Sequence, residues 1–290
     1  MATELPFTGE RFTPECVREM SYEHWHRYAL AAPLTAGRKV LDLACGEGYG
    51  SHLLSQAASD VTGMDRHEPS IKHARQRYTA ENLKFVIGNA TRIPMPSDTF
   101  DAIVSFETLE HLREQEQMLS EFARVLADDG FLILSSPDKA VYSDARGYRN
   151  EHHVRELYQQ ELESLLKVHF PAVRLLGQAL LFQSCAWPLD PQEQDGWEPW
   201  FHQDEAAQVQ ATPPVPAMYF VAICARQRDQ LPKLPRLSLY SDAAQSVYRH
   251  YEHEIRKNMQ AGAIVADRDA QIEALTQRVA ELERQLKGEG

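Results

Sequence analysis

The segment that most constrains this chain runs from Val40 to Gly50, VLDLACGEGYG, an apolar run that closes in a G-x-G turn and opens into the amphipathic stretch SHLLSQAA. Strand, turn and helix in immediate succession make the first part of a βαβ unit. Gly46 and Gly48 let the backbone turn sharply and approach a ligand closely where side chains would obstruct it. The pattern then continues through VTGMD, IKHARQRY, LKFVIG, FDAIVSF, a helix from Met118 to Leu126, and FLILSSP after the Asp128-Asp129-Gly130 turn. Strands alternating with helices in this way predict an α/β fold with a parallel, doubly wound sheet. A helix over about Val154 to Leu166, and strands near Val173 to Phe182 and Met218 to Ala225, would complete it with an antiparallel hairpin.

Four divisions follow from punctuation and composition. Residues 1–38 form an N-terminal lid and helix segment, and 39–230 the sheet domain, with a Trp- and Pro-rich insertion at 187–216. Residues 231–241, around Leu231-Pro232-Lys233-Leu234-Pro235, form a linker, and 242–290 a helical tail. In the tail Val265, Ile272, Val279 and Leu286 share one heptad position, and Arg268, Leu275 and Leu282 the other. That seam predicts a coiled coil and a homo-oligomer, a parallel dimer ahead of a trimer.

The net charge of -12 leaves no basic footprint for nucleic acid or anionic lipid. The start, MATELPFTGE, lacks a cationic and apolar leader, and no apolar run is long enough to span a bilayer, so a cytoplasmic chain is expected. Four cysteines without a C-x-x-C pair indicate neither a zinc site nor a disulfide framework.

A G-x-G turn alone says little about its ligand, but the surroundings narrow it. The third glycine of a dinucleotide fingerprint is replaced by Ser51, and Glu47 sets a carboxylate where a pyrophosphate would sit. S-adenosylmethionine carries a sulfonium and an ammonium, which suit Asp42 at the strand end and an acidic turn. Asp65, closing the next strand, can accept from both ribose hydroxyls, and the side-chain oxygen of Asn89, after the third, can accept from the adenine amino group.

With these residues in place, Val40 to Pro137 resembles a class I S-adenosylmethionine-dependent methyltransferase. The likeness lies in D-x-x-x-G-x-G (Asp42, Gly46, Gly48), in Asp65 and in F-E-T-L-E-H, Phe106 to His111. It implies a seven-stranded Rossmann-like sheet with the cofactor across the strand carboxyl ends, bound by Asp42, Ala44, Gly46, Gly48, Asp65, Arg66, Asn89, Ala90 and Phe106. GERFTPE (Gly9 to Glu15), YEHWHRYALA (Tyr22 to Ala31) and NEHHVRELY (Asn150 to Tyr158) are similar to methyltransferase modules of bacterial surface-polysaccharide (O-antigen type, lipopolysaccharide) biosynthesis. That likeness implies a glycan acceptor and a place beside a polysaccharide-assembly complex at the inner membrane.

A hydroxyl acceptor must lose a proton, and the candidate bases on the loops above the strands are Glu107, His111 and His153, with His153 ahead of the others. Arg11 is a candidate clamp for the methionine carboxylate or an anionic acceptor. A helix from Tyr22 to Ala32 would set Trp25, Tyr28 and Ala29 on one face, Trp25 toward the cofactor, with Arg27 on the far side. No metal site is expected: His250 and His253, the one H-x-x-H pair, sit in the tail, and His152 and His153 are adjacent and point apart. Three functions compete: O-methylation of a surface glycan, its precursor or a terminal phosphate; methylation of a quinone-like small molecule; and a catalytically silent cofactor-binding assembly module.

Overall fold

The computed structural model describes residues 19–181, 183, 200–203, 206–209, 213 and 215–288. Two compact units, Met1–Tyr240 and Ser241–Gly290, make up the chain. The first contains helix α1 (Glu19–Leu34), β1 (Lys39–Leu43), α2 (Tyr49–Ser55), β2 (Asp60–Asp65), α3 (Glu68–Arg77), β3 (Leu83–Ile87) and β4 (Phe100–Ser105). It goes on through α4 (Gln115–Val125), β5 (Leu126–Pro137), α5 (Gln159–His169), β6 (Ala172–Gln178), the short pair β7 (Trp200–Gln203) and β8 (Ala206–Val209), and β9 (Tyr219–Ala225).

Seven strands form one sheet in the order β3-β2-β1-β4-β5-β9-β6, with β9 antiparallel to both its neighbours and the remaining pairings parallel. Alternation along the strands divides the core between two faces. Leu41, Leu43, Ile103, Leu132 and Leu134 pack with Met118, Leu119 and Phe122 of α4 and Leu162 and Leu166 of α5. Val40, Ala102, Val104, Phe131 and Ile133 pack on the other face with Tyr28 and Ala31 of α1 and Leu54 of α2.

Three local expectations are corrected. Asp128, Asp129 and Gly130 lie within β5, where the pairing with β4 shifts register between Phe100 and Ala102, and do not form a separate turn. The helix expected from Val154 begins at Gln159, because the amides of Val154 and Arg155 donate to the Glu110 carbonyl and hold that stretch extended. Its first turn is closed by the Tyr158 amide donating to Glu161 at 3.0 Å. On α1 it is Arg27 that is buried, beside Tyr28, while Ala29 is exposed.

The second unit holds α6 (Ser246–Gly288), in which Val265, Ile272, Leu275, Val279 and Leu282 are exposed. Among the described residues no helix is long and apolar enough to cross a membrane.

Candidate active site

The strand order reverses between β1 and β4, and a crevice opens beyond the carboxyl ends of the strands at such a switch point. A cavity of about 390 Å³ occupies it. Ala44 and Gly46 line it from the turn after β1, Asp65 and Arg66 from the end of β2, Asn89 and Ala90 from the loop after β3, and Phe106, Glu107 and His111 from the loop after β4. Nine of the expected residues therefore meet in one hollow. Gly46 and Gly48 have φ of 55° and 93°, in the left-handed region that glycine enters without strain, and Gly48 starts α2.

Asp65 is oriented by backbone donors: the Gly46 amide reaches one oxygen at 3.0 Å and the His67 amide the other at 2.8 Å. A carboxylate fixed at the edge of a crevice retains lone pairs for ribose hydroxyls. The Asn89 oxygen, expected to read adenine, instead accepts from the amide and hydroxyl of Thr91, both at 3.0 Å. The group Asn89 can offer a nucleobase is its amide N–H.

Asp42 is wholly buried beneath the turn and is not among the residues lining the cavity. Ser51 donates to it at 2.6 Å and Tyr28 at 3.1 Å. The residue standing in place of a third glycine thus holds this carboxyl in position. Burial pushes Asp42 up to about 7 against the pull of these two hydrogen bonds.

Glu47 faces elsewhere than the sequence implies. It is buried against α3, accepting from the Tyr78 hydroxyl at 2.9 Å and paired with Arg77 at 3.3 Å and His73 at 2.9 Å. It does not line the cavity and gives it no negative surface, contrary to the expectation of an acidic turn facing the cofactor.

Glu107 adopts φ of 48°, a costly value for a residue with a side chain. Its amide donates to Ser135 Oγ at 3.0 Å, and the same hydroxyl donates back to its carboxylate at 2.6 Å. Arg27 Nη1 lies 3.4 Å from that carboxylate, while Arg27 Nε donates to Gln178 at 2.8 Å and the guanidinium rests 4.4 Å from the centre of the Tyr219 ring. A second cavity, of about 410 Å³, begins on the other side of Arg27 and is lined by Leu30, Leu175, Leu176, Leu180, Leu237 and Leu239 among others.

His111 lines the first cavity, whereas His153 stands behind it, the two rings edge to face at 5.0 Å. Of the two candidate bases, His111 is the one that faces the cavity. Trp25 packs on Tyr49 at 5.1 Å, outside the residues lining the cavity, and Arg11 lies outside the described residues. Sequence reasoning passed over His24, Tyr28 and Tyr49 as lining residues. The signal for Tyr28 was its place in an aromatic helix directly before the first strand.

Residues 41–134 match the model of a methyltransferase domain. Over this segment the chain is similar to class I S-adenosylmethionine-dependent methyltransferases. S-adenosylmethionine is its cofactor; Ala44, Gly46, Asp65, Asn89 and Phe106 line the cavity described above. A Mycolicibacterium smegmatis protein, named a probable S-adenosylmethionine-dependent methyltransferase, is 37% identical over 170 residues, 58% of this chain and 65% of its own length. A fatty-acid O-methyltransferase of the same organism is 31% identical over 43% of each chain. The chain spans 60–65% of the length of the first curated relatives it matches. Among solved structures, a methyltransferase in complex with a Haloferax volcanii methyltransferase activator shares the fold, with a TM-score of 0.51 at 18% identity over 71% of this chain and 92% of that one.

Proposed function

We propose that this chain transfers the methyl group of S-adenosylmethionine to an oxygen atom of its acceptor. One observation carries the reading: His111 stands on the β4 side of a cavity whose β2 and β3 sides are built for a nucleoside. An acceptor oxygen beside His111 attacks the methyl carbon as the carbon–sulfur bond breaks and sulfur keeps the electron pair. The sulfonium is already activated, so the protein's work is to position the oxygen and to deal with its proton. Nδ1 of His111 is 3.0 Å from the His152 carbonyl, which can only accept, so Nε2 is the lone-pair atom that addresses the hydroxyl, directly or through a cation.

For the acceptor we take a hydroxyl of a bacterial surface glycan or its precursor, supported by the likeness of Gly9 to Glu15, Tyr22 to Ala31 and Asn150 to Tyr158 to polysaccharide-type modules. A second reading, an apolar acceptor ending in an oxygen, is supported by the leucine-lined second cavity and by the fatty-acid O-methyltransferase relative. Labelled S-adenosylmethionine incubated with cell-envelope glycan fractions and, separately, with free fatty acids decides between them. Label in glycan is the expected result, label in fatty-acid methyl esters selects the second reading, and label in neither product overturns both. If the glycan hydroxyl is the acceptor, His111→Ala should lower turnover about a hundredfold while leaving cofactor affinity within a few fold; a carboxylate acceptor is already ionised and has no proton for His111 to take.

A further inference from the structure

Behind the wall of the cofactor cavity, two segments distant in sequence bring three metal-binding side chains together. Glu110 and His111 belong to the short turn after β4, and His153 to the loop before α5. One ligating atom from each of the three lies within 4.8 Å of the others. Three such atoms always leave a point within about 2.8 Å of all of them, so a contraction of less than an ångström reaches the roughly 2.0–2.2 Å typical of imidazole and carboxylate ligands.

Two further observations point to a cation. Glu110 is fully buried, and neither carboxylate oxygen has a hydrogen-bond partner among the described residues. A carboxylate in that position is costly unless it is protonated or faces a positive charge. Both imidazoles, moreover, are held from behind by groups that only accept. His111 Nδ1 is 3.0 Å from the His152 carbonyl, and His153 Nδ1 is 2.5 Å from Glu156, itself bonded by Ser143 Oγ. Such outer partners fix the tautomer and leave each Nε2 with its lone pair free of a proton, the state a metal needs. Asn150 Nδ2 sits 3.1 Å from His153 Nε2, and its amide must turn aside as an ion enters.

We propose that Glu110, His111 and His153 bind one divalent first-row transition-metal ion, of the zinc and cobalt class. Two imidazoles and a carboxylate suit such ions better than magnesium or calcium, which take oxygen ligands. The site deepens the methyl-transfer reading and rests on it for its purpose: a dication against His111 would lower the pKa of a hydroxyl placed next to it.

The test is direct metal uptake by the full chain, free of any affinity tag. Cobalt(II) titration followed by visible absorption, and zinc competition against a chromophoric chelator, should show one equivalent bound. Glu110→Gln and His153→Gln should each weaken that binding on the order of a hundredfold or more, and Glu156→Gln about ten- to a hundredfold. Replacing His250 and His253 in the tail by alanine should leave it unchanged. Cofactor binding measured on each variant shows that it is folded, and two independent ligand variants guard against one that is not. Absence of stoichiometric uptake, or equal affinity in folded Glu110→Gln and His153→Gln, overturns the site. Because uptake is read without turnover, a chain that holds the ion and methylates nothing would overturn the proposed reaction and leave the metal site standing.

Discussion

The Tyr28 hydroxyl donates to the buried carboxyl of Asp42 at 3.1 Å, tying the helix before the sheet to its first strand directly beneath the cofactor turn. Tyr28 lines the cofactor cavity from above this bond. Replacing it by phenylalanine leaves Ser51 as the remaining side-chain donor to Asp42. Tyr28→Phe should lower stability by about 1–3 kcal/mol, the cost of a polar group left underbonded, readable as a reduced denaturation midpoint.

Asp42 also sets a pH dependence. Its folded-state pKa of about 7 lies above the ordinary value of 3.8, so the fold holds the proton more tightly than the unfolded chain does. Its contribution to stability is therefore greatest below about pH 4, falls as pH rises, and is lost above about pH 7, a change on the order of 4 kcal/mol. Asp42→Asn removes this titration. In urea denaturation between pH 4.5 and 7.5, the stability difference should move in the variant's favour as pH rises, and a difference constant with pH would refute the assignment.

Asp65 is expected to dominate cofactor affinity. Asp65→Ala removes charge-assisted hydrogen bonds worth roughly 1.5–3 kcal/mol each, and also frees the Gly46 amide that shapes the turn. Calorimetry with S-adenosylmethionine should record a loss of at least about tenfold, and unchanged affinity would remove Asp65 from the site.

Gly50 tests how closely α2 and α1 approach. A methyl group at this position would fall 2.0 Å from the Tyr28 ring, which is itself buried. Gly50→Ala should cost about 1–3 kcal/mol through overpacking and weaken cofactor binding, because Tyr28 must move. Gly37→Ala is a useful contrast: it has φ of 69° and nothing within 4 Å of the added methyl, so its cost is backbone strain alone, and cofactor affinity should hold.

The exposed apolar stripe of α6 leads to a further expectation. Val265, Ile272, Leu275, Val279 and Leu282 are each more than 40% exposed, and a repeat of that kind is covered when two helices pair. Light scattering should give a dimer mass for the full chain and a monomer after removal of residues beyond 240, with cofactor binding retained. The same monomer mass for both chains would reject the coiled coil.

Much of the frame was legible because its signals are local. The apolar runs at Val40 to Leu43, Asp60 to Asp65 and Phe100 to Ser105 became strands, and the glycine turn, Asp65 and the loop after β4 met in one crevice. The errors concern side chains whose partners are distant. Arg27 reads as a solvent-facing cation on a helical wheel, yet Gln178 and Glu107 draw it inside. Glu47 reads as part of a ligand surface until α3 supplies Tyr78, Arg77 and His73 to capture it. His153 resembles a base by its motif, and only the fold places His111 between it and the cavity.

Among the described residues, those lining the cofactor cavity all fall from His24 to Leu112, whereas the second cavity draws on α1 and on residues from Leu175 to Tyr240. The two cavities are therefore built from different stretches of the gene, and the later stretch can diverge without disturbing the earlier one. The exception is α1, where the neighbours Arg27 and Tyr28 line the second and first cavities respectively. Exchange of the later stretch between related chains should succeed only when this helix travels with the segment it faces, so that α1 limits how freely the second cavity can be remodelled by recombination.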